Sequence, residues 1–156
     1  MNNVIITANG LPLPEWSQAA SAFTLKILDE LKYKNWELSV LFCDDKKMTE
    51  LNHQYRNKNE PTDILSFNLG ETIQEGDKTV YLPGDIVISL DTLSENAQYF
   101  KTSKDEELRR LIIHGILHLG GMDHETLNPD EPMLLLQEEI LNRLKNEHII
   151  PNGEKN

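Results

Sequence analysis

Cysteine is almost missing from this chain: Cys43 is the single one in 156 residues. One thiol cannot close an internal disulfide, which excludes the disulfide-stapled secreted scaffolds and suits a reducing compartment. Cys43 ends the apolar run Trp36–Cys43, so it reads as a small core residue rather than a nucleophile or ligand. Long hydrophobic runs are lacking too, and no stretch approaches the length of a membrane span. The chain opens Met-Asn-Asn with no basic segment before an apolar one, so no signal peptide is read and a cytoplasmic protein is expected. Basic charge is also short: 15 Lys and Arg stand against 26 Asp and Glu, a net charge of −11. That is the reverse of the footprint of a nucleic-acid binder. The deficit is uneven, however. Residues 26–58 carry seven basic and six acidic side chains, whereas residues 59–156 carry eight and 19. If RNA binds, the side holding Lys46, Lys47, Arg56 and Lys58 is where it is expected.

What the chain does have is a cluster of histidines. Three of its five fall in the run His114-Gly115-Ile116-Leu117-His118-Leu119-Gly120-Gly121-Met122-Asp123-His124. On a helix, residues four apart lie one above the other, close enough to share an ion. The Gly120-Gly121 pair can end that helix and turn the chain back, delivering His124 to the same point. Three imidazoles with a fourth position open are the ligand set of a catalytic zinc rather than a structural one. A helical wheel sharpens this reading. With Leu108 at 0°, Leu111, Ile112, Gly115, Ile116 and Leu119 fill an arc from about 300° to about 80°. His114 and His118 fall near about 240° and about 280°, at its margin, where a side chain is half supported by core and half faces a cleft. Gly115 lies in the middle of the buried arc, where a close backbone approach accounts for a helix-weakening residue.

Zinc peptidases with the pattern H-E-x-x-H-x-x-G-x-x-H share this spacing but use the Glu as general base. Gly115 occupies that position and cannot take a proton. The geometry of a metal hydrolase is present without the peptidase base.

The run H-G-x-L-H-L-x-G-x-D-H is similar to the signature of the YbeY family, bacterial metal-dependent endoribonucleases of ribosomal RNA maturation and ribosome quality control. Tyr55-Arg56 followed by Pro61-Thr62-Asp63-Ile64-Leu65-Ser66-Phe67 resembles that family's block Y-R-x-x-x-x-P-T-[DN]-V-L-S-F, with Ile64 where Val is common. Gly84-Asp85-Ile86-Val87-Ile88 resembles its block G-D-[IV]-x-I. Length and block order agree across essentially the whole chain. The resemblance implies zinc on His114, His118 and His124, a part in substrate handling for Arg56, and single-strand-specific cleavage of RNA during small-subunit rRNA processing.

Along the chain, Asn3–Ala8 reads as a strand, and Pro14 begins a helix carrying Trp16, Ala20, Phe23, Ile27 and Leu31 to about Lys34. Trp36–Cys43 is a strand, and Asp44 or Asp45 caps a helix through Met48, Leu51 and Tyr55. Ile64–Asn68 and Val80–Tyr81 are strands separated by a turn or mobile loop over Gly70–Lys78. Asp85–Ser89 is a further strand, and Asp91 caps a short helix to Phe100. Ser103-Lys104-Asp105-Glu106 is a capping box that opens the histidine helix. Asp130 to Glu147 is an amphipathic helix with Met133, Leu136, Ile140 and Leu144 on one side. The expectation is an α/β (α+β) chain with one zincin-like domain over residues 1–150, a small mixed sheet packed with helices, and a frayed tail over 151–156.

A lone arginine is usually a solvated surface group, but phosphodiester hydrolysis needs a fixed cation where charge builds on the equatorial oxygens. Arg56 is the candidate for that role. Asp123 either orients a ligand imidazole or caps the turn. Asp85 is structural or lines a cleft, Thr62 and Ser66 are structural hydroxyls or phosphate donors, and His53 and His148 are ordinary surface histidines. Zinc would lower the pKa of a water toward about 7, and His₃ sites also suit other divalent ions. The acidic remainder of the chain points to RNA presented through protein contacts on the small ribosomal subunit. Two other classes fit the same residues: a zincin-type peptidase or amidase, and a ribosome assembly factor whose zinc is structural.

Overall fold

A computed structural model of the chain describes residues 1–151. The tail expected to fray lies, apart from Pro151, outside the described residues. Four strands, β1 (Asn3–Asn9), β2 (Glu37–Cys43), β3 (Ile64–Glu75) and β4 (Lys78–Ser89), form one sheet in the order β1-β2-β4-β3. The first three neighbours in that order run parallel, and β3 pairs antiparallel with β4 at the edge. Five helices accompany it: α1 (Ser17–Glu30), α2 (Asp45–Arg56), α3 (Leu90–Tyr99), α4 (Lys104–Leu119) and α5 (Pro132–Arg143). This is the mixed sheet with packed helices that the sequence suggests.

Side-chain alternation sorts the sheet into two faces. Leu38, Val40 and Phe42 of β2 and Ile86 and Ile88 of β4 join the main core with α1, α4 and α5. The intervening Leu41, Cys43, Leu65, Phe67 and Val87 point the other way and meet Met48 and Leu51 of α2. The histidine helix α4 is central, with Leu108, Ile112, Ile113 and Ile116 fully buried. It touches α1, α3 and α5 as well as β3 and β4. Burial of each such side chain contributes about 1.5–3 kcal/mol, so α4 is held by its neighbours rather than by its own helix propensity.

The largest difference from the sequence reading is between residues 70 and 78. Most of the expected loop is strand: Glu71 to Glu75 form an arm paired with Leu82 to Lys78, only Gly76-Asp77 are left as the turn, and the expected strands Val80–Tyr81 and Asp85–Ser89 are one continuous β4. A register shift between Asn68 and Glu71 separates this arm from the core part of β3. Most of the arm is exposed, so no apolar alternation marks it. Smaller differences lie at helix ends. Helix α1 ends at Glu30, before Lys34, where Lys32 and Asn35 take positive φ of 62° and 61°. Helix α5 stops at Arg143 rather than Glu147. Ser89, not Asp91, caps α3, accepting from the Thr92 N–H at 3.4 Å, while the Asp91 carboxylate accepts from the Asp45 N–H at 2.9 Å. The Asp44 cap of α2 is formed, with its carboxylate 2.9 Å from the Lys47 N–H. The capping box at α4 is one-way: Ser103 Oγ accepts from the Glu106 N–H at 3.0 Å, but the Glu106 carboxylate turns to Thr102 Oγ1 at 2.6 Å. Among the described residues, no helix is long and apolar enough to cross a membrane.

Candidate metal centre

The last turns of α4 deliver two imidazoles. The Nε2 atoms of His114 and His118 face each other at 3.1 Å, with ring centroids 4.7 Å apart. The two glycines that follow have different reasons. Gly121 takes the positive φ, 101°, that reverses the chain. Gly120 keeps φ at −81°, but a Cβ there would lie 2.1 Å from the Tyr33 hydroxyl. The reversed chain brings the His124 ring to 5.4 Å from His114 and 5.7 Å from His118. One ligand atom from each of the three lies within 4.8 Å of the others.

Hydrogen bonds decide which nitrogens are free. His114 Nδ1–H donates to Gln137 Oε1 at 2.6 Å, and His124 Nδ1–H donates to the Thr126 carbonyl at 2.8 Å. A neutral imidazole that donates from Nδ1 keeps a lone pair on Nε2, so both rings aim an acceptor inward. His118 turns its Nδ1 toward the Asp123 carboxylate, 3.9 Å away. Two nitrogens sharing a tetrahedral ion at about 2.0–2.1 Å sit about 3.3 Å apart, close to the spacing of His114 and His118. Charge state agrees. Burial lowers the pKa of His114, against the opposing bond to Gln137, and burial lowers that of His118, against the pull of Asp123. Both shifts favour the neutral ring, the form that binds a metal. The donor set fits a divalent cation.

A cleft of about 540 Å³ opens beside this cluster, lined by His114 and His118, by Ile64, Leu65, Ser66, Phe67 and Asn68 of β3, and by Tyr55 and Arg56 of α2. It crosses the free edge of the sheet, with α4 on one side and α2 on the other. Arg56 is the last residue of α2, where Asn57 stops the helix in the left-handed conformation at φ 57°. The Asn57 N–H donates to the His53 carbonyl, and Asn52 Nδ2 donates to the Glu60 carbonyl at 2.8 Å, which folds the next loop back onto the helix. Arg56 is exposed, and among the described residues no carboxylate pairs with it. Its guanidinium charge is available to a ligand.

The remaining sequence candidates divide. Ser66 lines the cleft, whereas Thr62 Oγ1 donates to Asp63 at 3.4 Å. Asp123 accepts from the His124 N–H at 2.8 Å and also faces the His118 ring at 3.9 Å, so both expected roles fall on one carboxylate. Asp85 is exposed and points to the α2 face of the sheet, in a groove with Ser39 and Val87 outside the histidine cleft. His53 is exposed. His148 differs from the expected free surface histidine: its Nδ1 lies 3.0 Å from the Asp105 carboxylate. Gln137, buried at 7% exposure, was not among the candidates. Its signal is positional: it lies four residues after Met133 and three before Ile140, a polar side chain inside an apolar helix stripe.

Comparison with known proteins follows the same lines. The family model described as Endoribonuclease YbeY matches residues 7–145. A relative named Endoribonuclease YbeY from Treponema denticola is 52% identical over 128 residues, which cover 81% of this chain and 83% of the relative. Its namesake from Treponema pallidum is 41% identical over 142 residues, covering 90% and 89%. Another from Borreliella burgdorferi is 46% identical over 129 residues, covering 79% and 83%. The solution structure of TM1509 from Thermotoga maritima superposes with a TM-score of 0.56 at 23% identity, covering 98% of this chain and 99% of that one. At that identity the likeness concerns the fold.

Proposed function

The chain belongs to the YbeY family of endoribonucleases, and from that premise we propose that it hydrolyses RNA internally at the His114–His118–His124 cleft with zinc as its metal. The observation that carries this reading is the convergence of three imidazoles, two of them lining an open cleft that also holds an unpaired arginine. When bound, the ion supplies Lewis-acid polarisation and a water of lowered pKa at neutral pH. The chain's own residues supply the rest. His114, His118 and His124 would hold the ion, and the Nδ1 hydrogen bonds of His114 and His124 fix how those two rings point. Arg56 receives the scissile phosphate and offers a planar fork to two of its oxygens, stabilising the charge that builds in the transition state. Tyr55 and Phe67 pack edge to face, with centroids 4.9 Å apart, and give the cleft wall an aromatic surface beside the arginine, suited to an unstacked base. That favours single-stranded over duplex RNA.

Acidity sets how substrate arrives. A net charge of −11 repels free RNA, so the chain takes ribosomal RNA, or its precursor, as presented by proteins of the small ribosomal subunit. The site of action is the cytoplasm, in agreement with a single, buried cysteine.

A peptidase reading has one observation in its favour. The edge of β3 that lines the cleft has no strand partner among the described residues, and such an edge can pair with an extended peptide. Against it, position 115 is buried: a Cβ there meets Ile86 and Ile64 at 2.8 and 3.2 Å, leaving no space for a catalytic carboxylate. Incubation of zinc-loaded protein with a structured RNA and, separately, with casein tests the choice. Cleavage of RNA within its single-stranded segments, with casein intact, is expected. Casein hydrolysis without RNA cleavage would overturn the proposal.

A further inference from the structure

We propose that Gln137 is a positioning residue for the metal site, held in a single amide orientation by Glu138 and Arg110 so that His114 keeps the tautomer able to bind an ion. The inference rests on the reading of His114 as a metal ligand. A carboxamide has two unlike ends, and only one is compatible with that ligand. With Oε1 toward His114, the ring must carry its proton on Nδ1 and presents the Nε2 lone pair inward. With the amide reversed, Nε2–H of Gln137 would face Nδ1, the ring proton would move to its own Nε2, and the ligand would be blocked.

The structure contains what selects the first arrangement. Gln137 Nε2 donates to Glu138 Oε2 at 3.1 Å. A carboxylate only accepts, so the amide nitrogen must sit on that side and the oxygen on the side of His114, 2.6 Å away. Glu138 is itself fixed by a fork from Arg110, with Nε to Oε2 at 2.9 Å and a terminal nitrogen to Oε1 at 3.2 Å. Arg110 is braced in turn by Glu107 at 3.1 Å and Glu106 at 3.3 Å. Arg110 and His114 stand one turn apart on α4, and Gln137 and Glu138 are neighbours on α5. The network thus ties the two helices together while setting the polarity of one hydrogen bond. Burial of Gln137 keeps water from substituting for either contact.

The test measures metal affinity rather than catalysis. Zinc dissociation constants from competition with a chromophoric chelator, and the visible absorption of the cobalt-substituted protein, are compared for the parent, Gln137→Leu, Gln137→Glu, Glu138→Gln and His114→Ala. Loss of a hydrogen bond to a ligand histidine commonly weakens metal binding about 10–100-fold, and Gln137→Leu is expected in that range with an altered cobalt spectrum. Gln137→Glu keeps an acceptor toward Nδ1 and should bind at least as tightly as the parent. Glu138→Gln lets the amide reverse and should lose affinity, though less than Gln137→Leu; being on the rim, it also reads the effect should Gln137→Leu fail to fold. Parental affinity in both Gln137→Leu and Glu138→Gln would overturn the proposal. So would equal weakness in Gln137→Leu and Gln137→Glu, which would make the role one of packing. Parental affinity in His114→Ala would instead remove the ligand assignment, and this inference with it.

Discussion

Gly115→Ala exposes the compromise on which the site is built. Inside a helix, alanine is favoured over glycine by about 0.8–1.0 kcal/mol, so a solvated Gly115 would gain from the change. It is not solvated: the added Cβ would lie 2.8 Å from Ile86 Cδ1, 3.0 Å from Ile86 Cγ1 and 3.2 Å from Ile64 Cδ1. Carbon atoms prefer about 3.5–4.0 Å, so α4 must lift or Ile86, which is fully buried, must leave its rotamer. Overpacking of this kind costs about 1–3 kcal/mol. The net effect is a loss of roughly 0–2 kcal/mol, a fall in Tm of a few degrees for a chain of this size. Activity should suffer more, because lifting α4 moves His114 and His118 away from Arg56, and a shift approaching 1 Å can cost about 10²-fold. Thermal unfolding and single-turnover RNA cleavage read the two effects. Ile86→Val deletes the closest contacting atom and by itself costs about 0.5–1.5 kcal/mol. In the double variant the two costs should therefore be less than additive. A Gly115→Ala protein stabilised by the full propensity gain, or a double variant with strictly additive costs, would refute the close-approach explanation.

Three further outcomes are expected. Arg56→Lys should lose a large part of the cleavage rate and Arg56→Glu should approach background, about 10²–10³-fold down, while zinc content by elemental analysis and Tm stay at the parental level because Arg56 is exposed and unpaired. Asp105→Ala should destabilise by about 3–5 kcal/mol in chemical denaturation, since the buried carboxylate accepts from the N–H groups of Ile149 and Ile150 at 2.7 and 2.8 Å and pairs with Arg109 at 3.0 Å. Stability of the parent should also carry an acid limb from the same group. Burial pushes the Asp105 carboxyl up, but hydrogen bonds from His148, Ile150 and Ile149 hold it below its ordinary 3.8; a depressed carboxylate stabilises fully above that value and loses its contribution as pH falls through the lower folded one. Asp105→Asn should flatten this limb in urea titrations at stepped pH.

Much of the site is legible in the sequence because it is local. The spacing of His114, His118 and His124 is set by one helix and one turn, and both follow from short-range rules. The position of Gly115 on the buried arc likewise foretells the contact with Ile86. Arg56 reaches the cleft for a non-local reason: β3 occupies the sheet edge, and α2 ends beside it. The charge balance of residues 26–58 indicates that side of the chain, and the likeness of the surrounding block to a family motif singles out Arg56. Gln137 belongs to another helix, and its role depends on the packing of α5 against α4, which no spacing rule supplies. The outer half of β3, Glu71–Glu75, is missed for the opposite reason. Its five residues carry one apolar side chain, Ile73, opposite Val80, so backbone pairing with β4 holds it without any periodic apolar signal. The Asp105–His148 contact joins residues 43 apart, beyond the reach of a local reading of either.

Zinc dependence of RNA cleavage tests the central claim most directly. The protein is stripped with a chelator, dialysed, and returned to stepwise zinc while internal cleavage of a single-stranded RNA is followed, with circular dichroism recorded at each step. The core around α4 is built from side chains that do not involve the ion, so the stripped protein should remain folded. Cleavage should vanish on stripping, return in proportion to zinc and plateau at one equivalent per chain, and the same titration of a His114→Ala, His118→Ala double variant should stay flat. Undiminished RNA cleavage by the folded, metal-free parent, or by that double variant, would contradict the account.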